Sequence, residues 1–365
     1  VTTHAHRRVL IMAGGTGGHV VPALSLARAL KAQNIEVEWL GSPRGIENRL
    51  VPDAGIKLHT IAVSGLRGNG AAGWLKAPVN LTRAVWQARQ VISTFKPQLV
   101  VGLGGFASGP GGLAAWLSRI PLVVHEQNAV AGLTNRVLSR LATRSYAAFP
   151  EAFGERAEVI GNPVREEIAT LGETPRTVQV LQGRPLRLLV VGGSLGAVAL
   201  NERLPQAVAS LPTETRPEIR HQAGKSRDVL TAEGYAKYGI DAEVTPFIDD
   251  MAAAYDWADL VVCRSGALTV AELAAAAKPS LLVPFPFAVD DHQRVNADVL
   301  VKAGAALCVV QSALTPDRLA HYLSDLLEPA TLALMASRAR QAAYLDATER
   351  LAEGCLAILP KGEAV

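Results

Sequence analysis

The stretches "VLIMAGGTGGH" (9–19) and "LLVVGGSLGA" (188–197) each read as an apolar strand, a glycine turn and the start of a helix. One heads each half of the chain, and the echo predicts two doubly wound parallel-sheet domains in tandem. Outward from the first, candidate strands fall at 9–12, 37–40, 58–61, 99–102, 122–125 and 144–147. Helical patterns such as 22–33 and 83–95 lie between them, the alternation of an α/β fold. A second series starts at Leu186, with strands at 188–191, 219–222, 244–245, 260–263, 280–283 and 307–309. The stretch 161–183, with Pro163 and Pro175, is the expected linker zone, and helical patterns at 332–343 and 347–359 close the sequence. The expected organisation is one domain over 1–163, a second over 164–340, and a terminal segment over 341–365 that packs back on the first.

Composition narrows the class. The 365 residues suffice for two cores, and few aromatics among many Ala, Val, Leu and Gly suit helices packed on parallel strands. Three widely spaced cysteines, Cys263, Cys308 and Cys355, lack metal-ligand spacing and fit a reducing compartment. The amino-terminal "VTTHAHRR" (1–8) runs into a strand rather than a signal segment, and no apolar run approaches the roughly 20 residues of a membrane span, so a soluble protein is expected. The net charge of +3 conceals a split. Residues 1–150 hold 16 Lys and Arg against 5 Asp and Glu, whereas the remainder holds 20 against 28. A basic half suggests a polyanion or an anionic membrane surface, with ordinary solvated charge as the plainer alternative.

In open parallel sheets, ligands bind beyond the carboxyl ends of strands. Six polar or glycine-rich segments fall there: "GGTGGH" (14–19), "GLGGFASGPGG" (102–112), "HEQN" (125–128), "GNPVR" (161–165), "GGSLGA" (192–197) and "CRSGALTVAE" (263–272). The dinucleotide fingerprint fails, since Val20 stands where the third glycine belongs and "GGSLGA" has no G-x-G. The P-loop fails too, since His19 stands where a lysine is needed. What survives is that glycines allow close backbone approach and helix amino termini favour phosphate. Gly192-Gly193-Ser194 opening one helix and 265–269 opening another could hold a diphosphate between them, with Glu272 one turn on, near a ribose diol. The alternative makes Ser265 a plain N-cap and Glu272 its exposed partner. His19 is either a base or orienting group, or a first-turn residue serving free N–H groups. Glu126 is either functional or a structural acid bonding the glycine loops, and Asn128 can donate to and accept from a sugar.

Taken in order, "MAGGTGGHVVPAL" (12–24), "SGLRGNG" (64–70), "GGFASGPGGLAAW" (104–116), "HEQNAVAGLTNR" (125–136), "GNPVR" (161–165), "VVGGSLGA" (190–197), "FIDDMAAAYDWADLVVCRSGALTVAEL" (247–273) and "DATER" (346–350) resemble the MurG family. These are bacterial UDP-N-acetylglucosamine transferases that convert lipid I to lipid II in peptidoglycan synthesis. The resemblance spans about residues 8–350. It implies a GT-B glycosyltransferase of two Rossmann-like domains with a cleft between, the first for a lipid acceptor and the membrane, the second for the UDP-sugar. It implies that Ser194 and Ala267, Leu268 and Thr269 surround the diphosphate, with Val270 and Ala271 among the substrate-binding residues. Glu272 would hold the ribose, Ile248 border the uracil, Arg165 reach the nucleotide and Gln293 contact the sugar. Thr16, Gly17, Gly18 and Asn128 would complete the donor side, while His19 and Glu126 face the acceptor. Two positions depart from the family pattern: Phe106 stands where tyrosine is common, and the segment before Gln293 differs, leaving the register to Asn296.

The implied reaction is inverting transfer, in which the 4-hydroxyl of a muramyl sugar attacks the anomeric carbon of UDP-N-acetylglucosamine and UDP leaves. It needs a proton acceptor, His19 with Glu126 as the rival, and positive character at the diphosphate. Asp249-Asp250 and Asp290-Asp291 are adjacent pairs rather than an Asp-x-Asp, so helix amino termini are expected to act without a metal or other cofactor. "GWLKAPVNLTRAVWQARQ" (73–90) mixes Trp74, Leu75 and Trp86 with Lys76, Arg83 and Arg89; with Trp116 and Arg140 it is the expected patch for an anionic bilayer, against a plain amphipathic core helix. The implied setting is peripheral, at the cytoplasmic face of the inner membrane, with other cell-wall and division proteins as partners and no nucleic acid. A GT-B enzyme for another UDP-sugar, and a non-catalytic UDP-sugar-binding envelope protein, are the alternatives.

Overall fold

The computed structural model describes residues 7–63, 70–174, 176–193, 196–288 and 291–360, with main chain alone for 70–76. Residues 64–69 of "SGLRGNG", Ser194 and the side chains of Trp74, Leu75 and Lys76 therefore lie outside the described residues. The chain divides into two compact units, one running to Arg165 and regaining the chain from Tyr344 onward, the other spanning Glu166–Ala343.

In the first unit, strands β1 (Arg8–Met12), β2 (Glu36–Gly41), β3 (Lys57–Thr60), β4 (Leu99–Gly102), β5 (Leu122–Glu126), β6 (Arg144–Ala147) and β7 (Glu158–Val159) form one sheet. Their order is β3-β2-β1-β4-β5-β6-β7, every pairing parallel. Successive side chains of a strand face opposite ways, and β1 shows what that requires. Val9 and Ile11 pack beneath the Gly17–Ala32 and Ala347–Leu356 helices, while Leu10 and Met12 pack with Ala84, Ala88, Ile92 and Phe95 of the Gly70–Phe95 helix. Both faces are covered, so β1 is apolar throughout its buried length. The terminal helix supplies Leu351, Ala352 and Cys355 to the first core.

The second unit repeats the plan with β8 (Arg187–Val191), β9 (Glu218–Gln222), β10 (Ala242–Thr245), β11 (Leu260–Cys263), β12 (Ser280–Leu282) and β13 (Ala306–Cys308). Their order is β10-β9-β8-β11-β12-β13, again parallel throughout. In each sheet the order reverses beside the first strand, between β1 and β4 and between β8 and β11. Ligands collect at such switch points.

Every expected strand is present, with ends moved by at most two residues. The differences lie elsewhere. The edge strand β7 is too short to leave a period. The first helix starts at Gly17 rather than near Pro22, and carries Pro22 inside it. The 161–183 stretch is no plain linker: it holds the Glu166–Ala169 and Val178–Gln182 helices. Gly192 and Gly193 do not open a helix either, since that helix is Val198–Ala209.

Candidate active site

The first glycine loop leaves β1 at Met12 and enters the helix at Gly17. Its backbone is fixed by protein groups. Trp39 Nε1 donates to the Ala13 carbonyl at 2.8 Å, and the Gly15 amide donates to Glu47 Oε2 at 2.9 Å. Glu47 is fully buried and also accepts from the amide and hydroxyl of Ser42. Thr16 makes no side-chain cap, and the first-turn amides of Gly17 and Gly18 have no intrahelical acceptor.

At the switch point the loop after β4 lies against this one. Gly104 has φ +106, and a Cβ there would sit 2.6 Å from Nδ1 of His19; Gly105 has φ +87, and its Cβ would meet the Gly14 main chain at 2.5 Å. Only glycine combines such backbone angles with such closeness. The half-buried His19 does not serve the helix N–H groups: its Nδ1 is 2.9 Å from Oε1 of Gln127, from the loop after β5. Gln127 and the fully buried His125 were not singled out within "HEQN", because only the fold brings them to His19. Burial pulls the His125 imidazole down to about 4, so it is neutral at pH 7.

Glu126, 2% exposed, accepts from the Asn128 amide at 2.9 Å, Asn128 Nδ2 at 3.3 Å, the Gly132 amide at 3.3 Å and Asn135 Nδ2 at 2.9 Å. Both carboxylate oxygens are thus engaged in shaping the 126–135 loop. Asn128 is half-buried beside it, and Phe106 is exposed on the loop after β4.

In the second unit, Gln222 organises the loop after β8. Its Oε1 accepts from the Gly193 amide at 2.9 Å, and its Nε2 donates to the Gly193 and Pro246 carbonyls at 3.0 Å each. This ties the glycines to the turn that carries half-buried Ile248. Beyond β11, the Ala267–Ala275 helix begins with Gly266, not Ser265, at its N-cap. Ser265 is fully buried, and its hydroxyl has no hydrogen-bond partner among the described residues. Ala267 and Val270 are buried, while Leu268, Thr269 and Ala271 are half-buried.

Glu272 is not the exposed partner of a cap. It is 4% exposed and accepts from the Tyr255 hydroxyl at 3.3 Å. Arg264, before the helix, donates to the Val283 and Pro284 carbonyls and to Gln311, and stacks 5.5 Å over Phe285. Gln293 Oε1 accepts from the Phe285 amide at 2.9 Å, so it pins the loop after β12. Arg165 is half-buried at the end of the first unit's main segment. Among the described residues, no group of three His, Cys, Asp or Glu side chains gathers as a metal-ligand set.

The Gly70–Phe95 helix is both core and surface. Ala84, Ala88, Ile92 and Phe95 face inward, whereas Val79 is 71% and Trp86 60% exposed, with Arg83 and Arg89 exposed as well. Pro78, Val79, Thr82, Arg83 and Trp86 line one shallow depression. This helix packs on Ser108–Leu117, which carries exposed Trp116 and Leu117. That helix in turn contacts Leu133–Leu138, which carries exposed Leu133 and Val137, and exposed Arg140 follows. No helix among the described residues is long and apolar enough to cross a membrane.

Two family models match the chain: the glycosyltransferase family 28 N-terminal domain over residues 9–147 and the family 28 C-terminal domain over 187–351. The chain is 71% identical, over 96% of both proteins, to the UDP-N-acetylglucosamine--N-acetylmuramyl-(pentapeptide) pyrophosphoryl-undecaprenol N-acetylglucosamine transferase of Chromohalobacter salexigens. It is 54% identical to the Ectopseudomonas mendocina protein of the same name, covering 96% of this chain and 98% of that one. The crystal structure of Acinetobacter baumannii MurG matches with a TM-score of 0.82 and 42% identity, covering 96% of this chain and 99% of that one. Two parallel α/β units with these likenesses make the fold GT-B, and the chain belongs to glycosyltransferase family 28, among its UDP-N-acetylglucosamine–N-acetylmuramyl-(pentapeptide) pyrophosphoryl-undecaprenol N-acetylglucosamine transferases.

Proposed function

We propose that this chain transfers N-acetylglucosamine from UDP-N-acetylglucosamine to the 4-hydroxyl of the N-acetylmuramyl sugar of lipid I, with inversion, giving lipid II. The observation that carries this is 71% identity along nearly the whole of a transferase so named.

The second unit is the donor domain. The first-turn amides of Ala267, Leu268 and Thr269 stabilise the leaving diphosphate, a role suited to a helix amino terminus; Ser194, Val270 and Ala271 complete that surface. Glu272, held by Tyr255, accepts from the ribose diol. Ile248 borders the uracil, Arg165 approaches the nucleotide and Gln293 meets the transferred sugar.

The first unit is the acceptor domain. Thr16, Gly17, Gly18 and Asn128 contact the sugar donor, and His19 takes the proton of the attacking hydroxyl. Glu126 supports the loop instead, because its oxygens already accept from Asn128, Gly132 and Asn135. The domain boundaries follow the two units, with the terminal helix belonging to the first. The lipid-linked acceptor places the enzyme peripherally on the cytoplasmic face of the inner membrane. Trp74, Leu75, Lys76, Arg83, Trp86, Arg89, Trp116 and Arg140 form its bilayer contact, within reach of other cell-wall and division proteins.

The test is UDP release from UDP-N-acetylglucosamine with and without a lipid I analogue, the product being weighed by mass spectrometry. Release that requires the analogue, with one N-acetylhexosamine added to it, is the expected result. Release or epimerisation without acceptor, or tight UDP binding with no turnover, would refute it.

A further inference from the structure

We propose that His125 and Gln127 act in series to hold His19 in the one neutral tautomer whose lone pair lies on Nε2. This rests on the proton-accepting role given to His19 above. The Gly161 carbonyl oxygen can only accept, and it lies 2.9 Å from Nε2 of His125, so the proton of that ring is on Nε2. His125 is fully buried and neutral at pH 7, which leaves a lone pair on its Nδ1.

The Gln127 amide has one end 3.2 Å from that Nδ1 and 3.3 Å from the His125 main-chain oxygen. Both neighbours are acceptors, so this end must be the NH2 group, by two independent contacts. The other end, Oε1, then faces Nδ1 of His19 at 2.9 Å and can only accept. His19 therefore carries its proton on Nδ1, and its neutral ring offers Nε2 as the base. Asn162 steadies the pair by donating to the Gln127 main-chain oxygen at 3.0 Å.

The hydrogen bond made by one ring nitrogen decides the state of the other. Behind the histidine of a hydrolase triad, a carboxylate does this and also stabilises the imidazolium. Gln127 is uncharged, so it selects the tautomer without an ion pair. His125 and Gln127 are positioning residues: they act through His19 and need not touch substrate.

The test uses the full chain labelled with [15N]histidine, read by two-bond 1H–15N correlation in the absence of substrate and paired with steady-state kinetics. Wild type should show His19 as Nδ1–H and His125 as Nε2–H. Gln127→Leu removes both amide contacts; His19 should become a tautomer mixture, and kcat should fall roughly tenfold or more with KM for either substrate little changed. Gln127→Glu keeps an acceptor facing His19, so His19 should stay Nδ1–H and kcat should recover above the leucine variant. The second carboxylate oxygen, now facing His125 Nδ1 and the His125 main-chain oxygen, has to carry a proton or draw one onto His125 Nδ1. An Nε2–H His19 in wild type, or an unaltered His19 tautomer in Gln127→Leu, overturns the proposal. If the leucine variant fails to fold, the wild-type and Gln127→Glu spectra decide it. A wild-type kcat in His19→Ala alongside the expected spectra would remove the base role and leave the tautomer control standing.

Discussion

The carboxylate of Glu47 closes the first glycine loop: its Oε2 accepts from the Gly15 amide at 2.9 Å, and its other oxygen accepts from Ser42. A glycine loop at the end of a first strand invites a phosphate, but here the protein's own buried carboxylate occupies that amide. A diphosphate at the same place would find that amide already taken. In the second glycine turn the Gly193 amide is taken instead by the side-chain oxygen of Gln222. Glu47→Ala leaves the Gly15 and Ser42 amides without their acceptor, at a cost of about 2–4 kcal/mol, while the Ser42 hydroxyl keeps the Arg44 carbonyl. Urea unfolding should show that loss, with reduced turnover and intact UDP binding; an unchanged midpoint would show the carboxylate to be dispensable.

Gly104→Ala tests the contact between the two switch-point loops. The added methyl group meets the His19 ring at a backbone angle that alanine resists. Folding stability should drop by about 1–3 kcal/mol, and kcat should fall more than the KM for UDP-N-acetylglucosamine rises. Steady-state kinetics on the purified variant decide this, and equal effects on the two parameters would count against it.

Two buried histidines contribute to the pH dependence of stability. Burial lowers His125 to about 4 and His221 to about 3, both from 6.5. Below pH 6.5 the unfolded chain binds protons that the folded chain refuses. Their contribution is thus complete above pH 6.5 and is lost as pH falls, toward 4 for His125 and toward 3 for His221. Each histidine adds a slope approaching 1.4 kcal/mol per pH unit in that window. Urea midpoints measured from pH 7.5 down to pH 4.5 should fall accordingly, and His221→Gln should flatten part of the slope. A flat profile in wild type would contradict the burial of both rings.

The exposed face of the Gly70–Phe95 helix predicts membrane behaviour separable from donor binding. Arg83→Glu with Arg89→Glu should weaken cosedimentation with anionic vesicles severalfold, more at low than at high salt. UDP binding should be unaffected. Equal vesicle binding by wild type and variant would place the membrane contact elsewhere.

Much of this was legible in the sequence, and the reasons are specific. Strands buried on both faces, such as β1 and β4, appear as short unbroken apolar runs, and glycines mark their carboxyl ends. Helix starts were harder to place. Pro22 and Pro78 sit inside helices where propensity alone disfavours them. At the site, His19, Glu126 and Glu272 were visible as polar residues at strand or helix ends. Their partners were not. Gln127 lies 108 positions from His19, and Glu47 lies 32 from Gly15, distances that no local spacing encodes. Glu272 is likewise buried against Tyr255, whose hydroxyl donates to it, and the helical pattern does not announce that partner.

The proton-transfer role of His19 is tested most directly by single-turnover transfer to a lipid I analogue in wild type and His19→Ala, with UDP affinity measured in parallel. A loss of about 10²-fold or more in rate at unchanged UDP affinity is the predicted result. Transfer within a few-fold of wild type would show that the hydroxyl proton goes to another group.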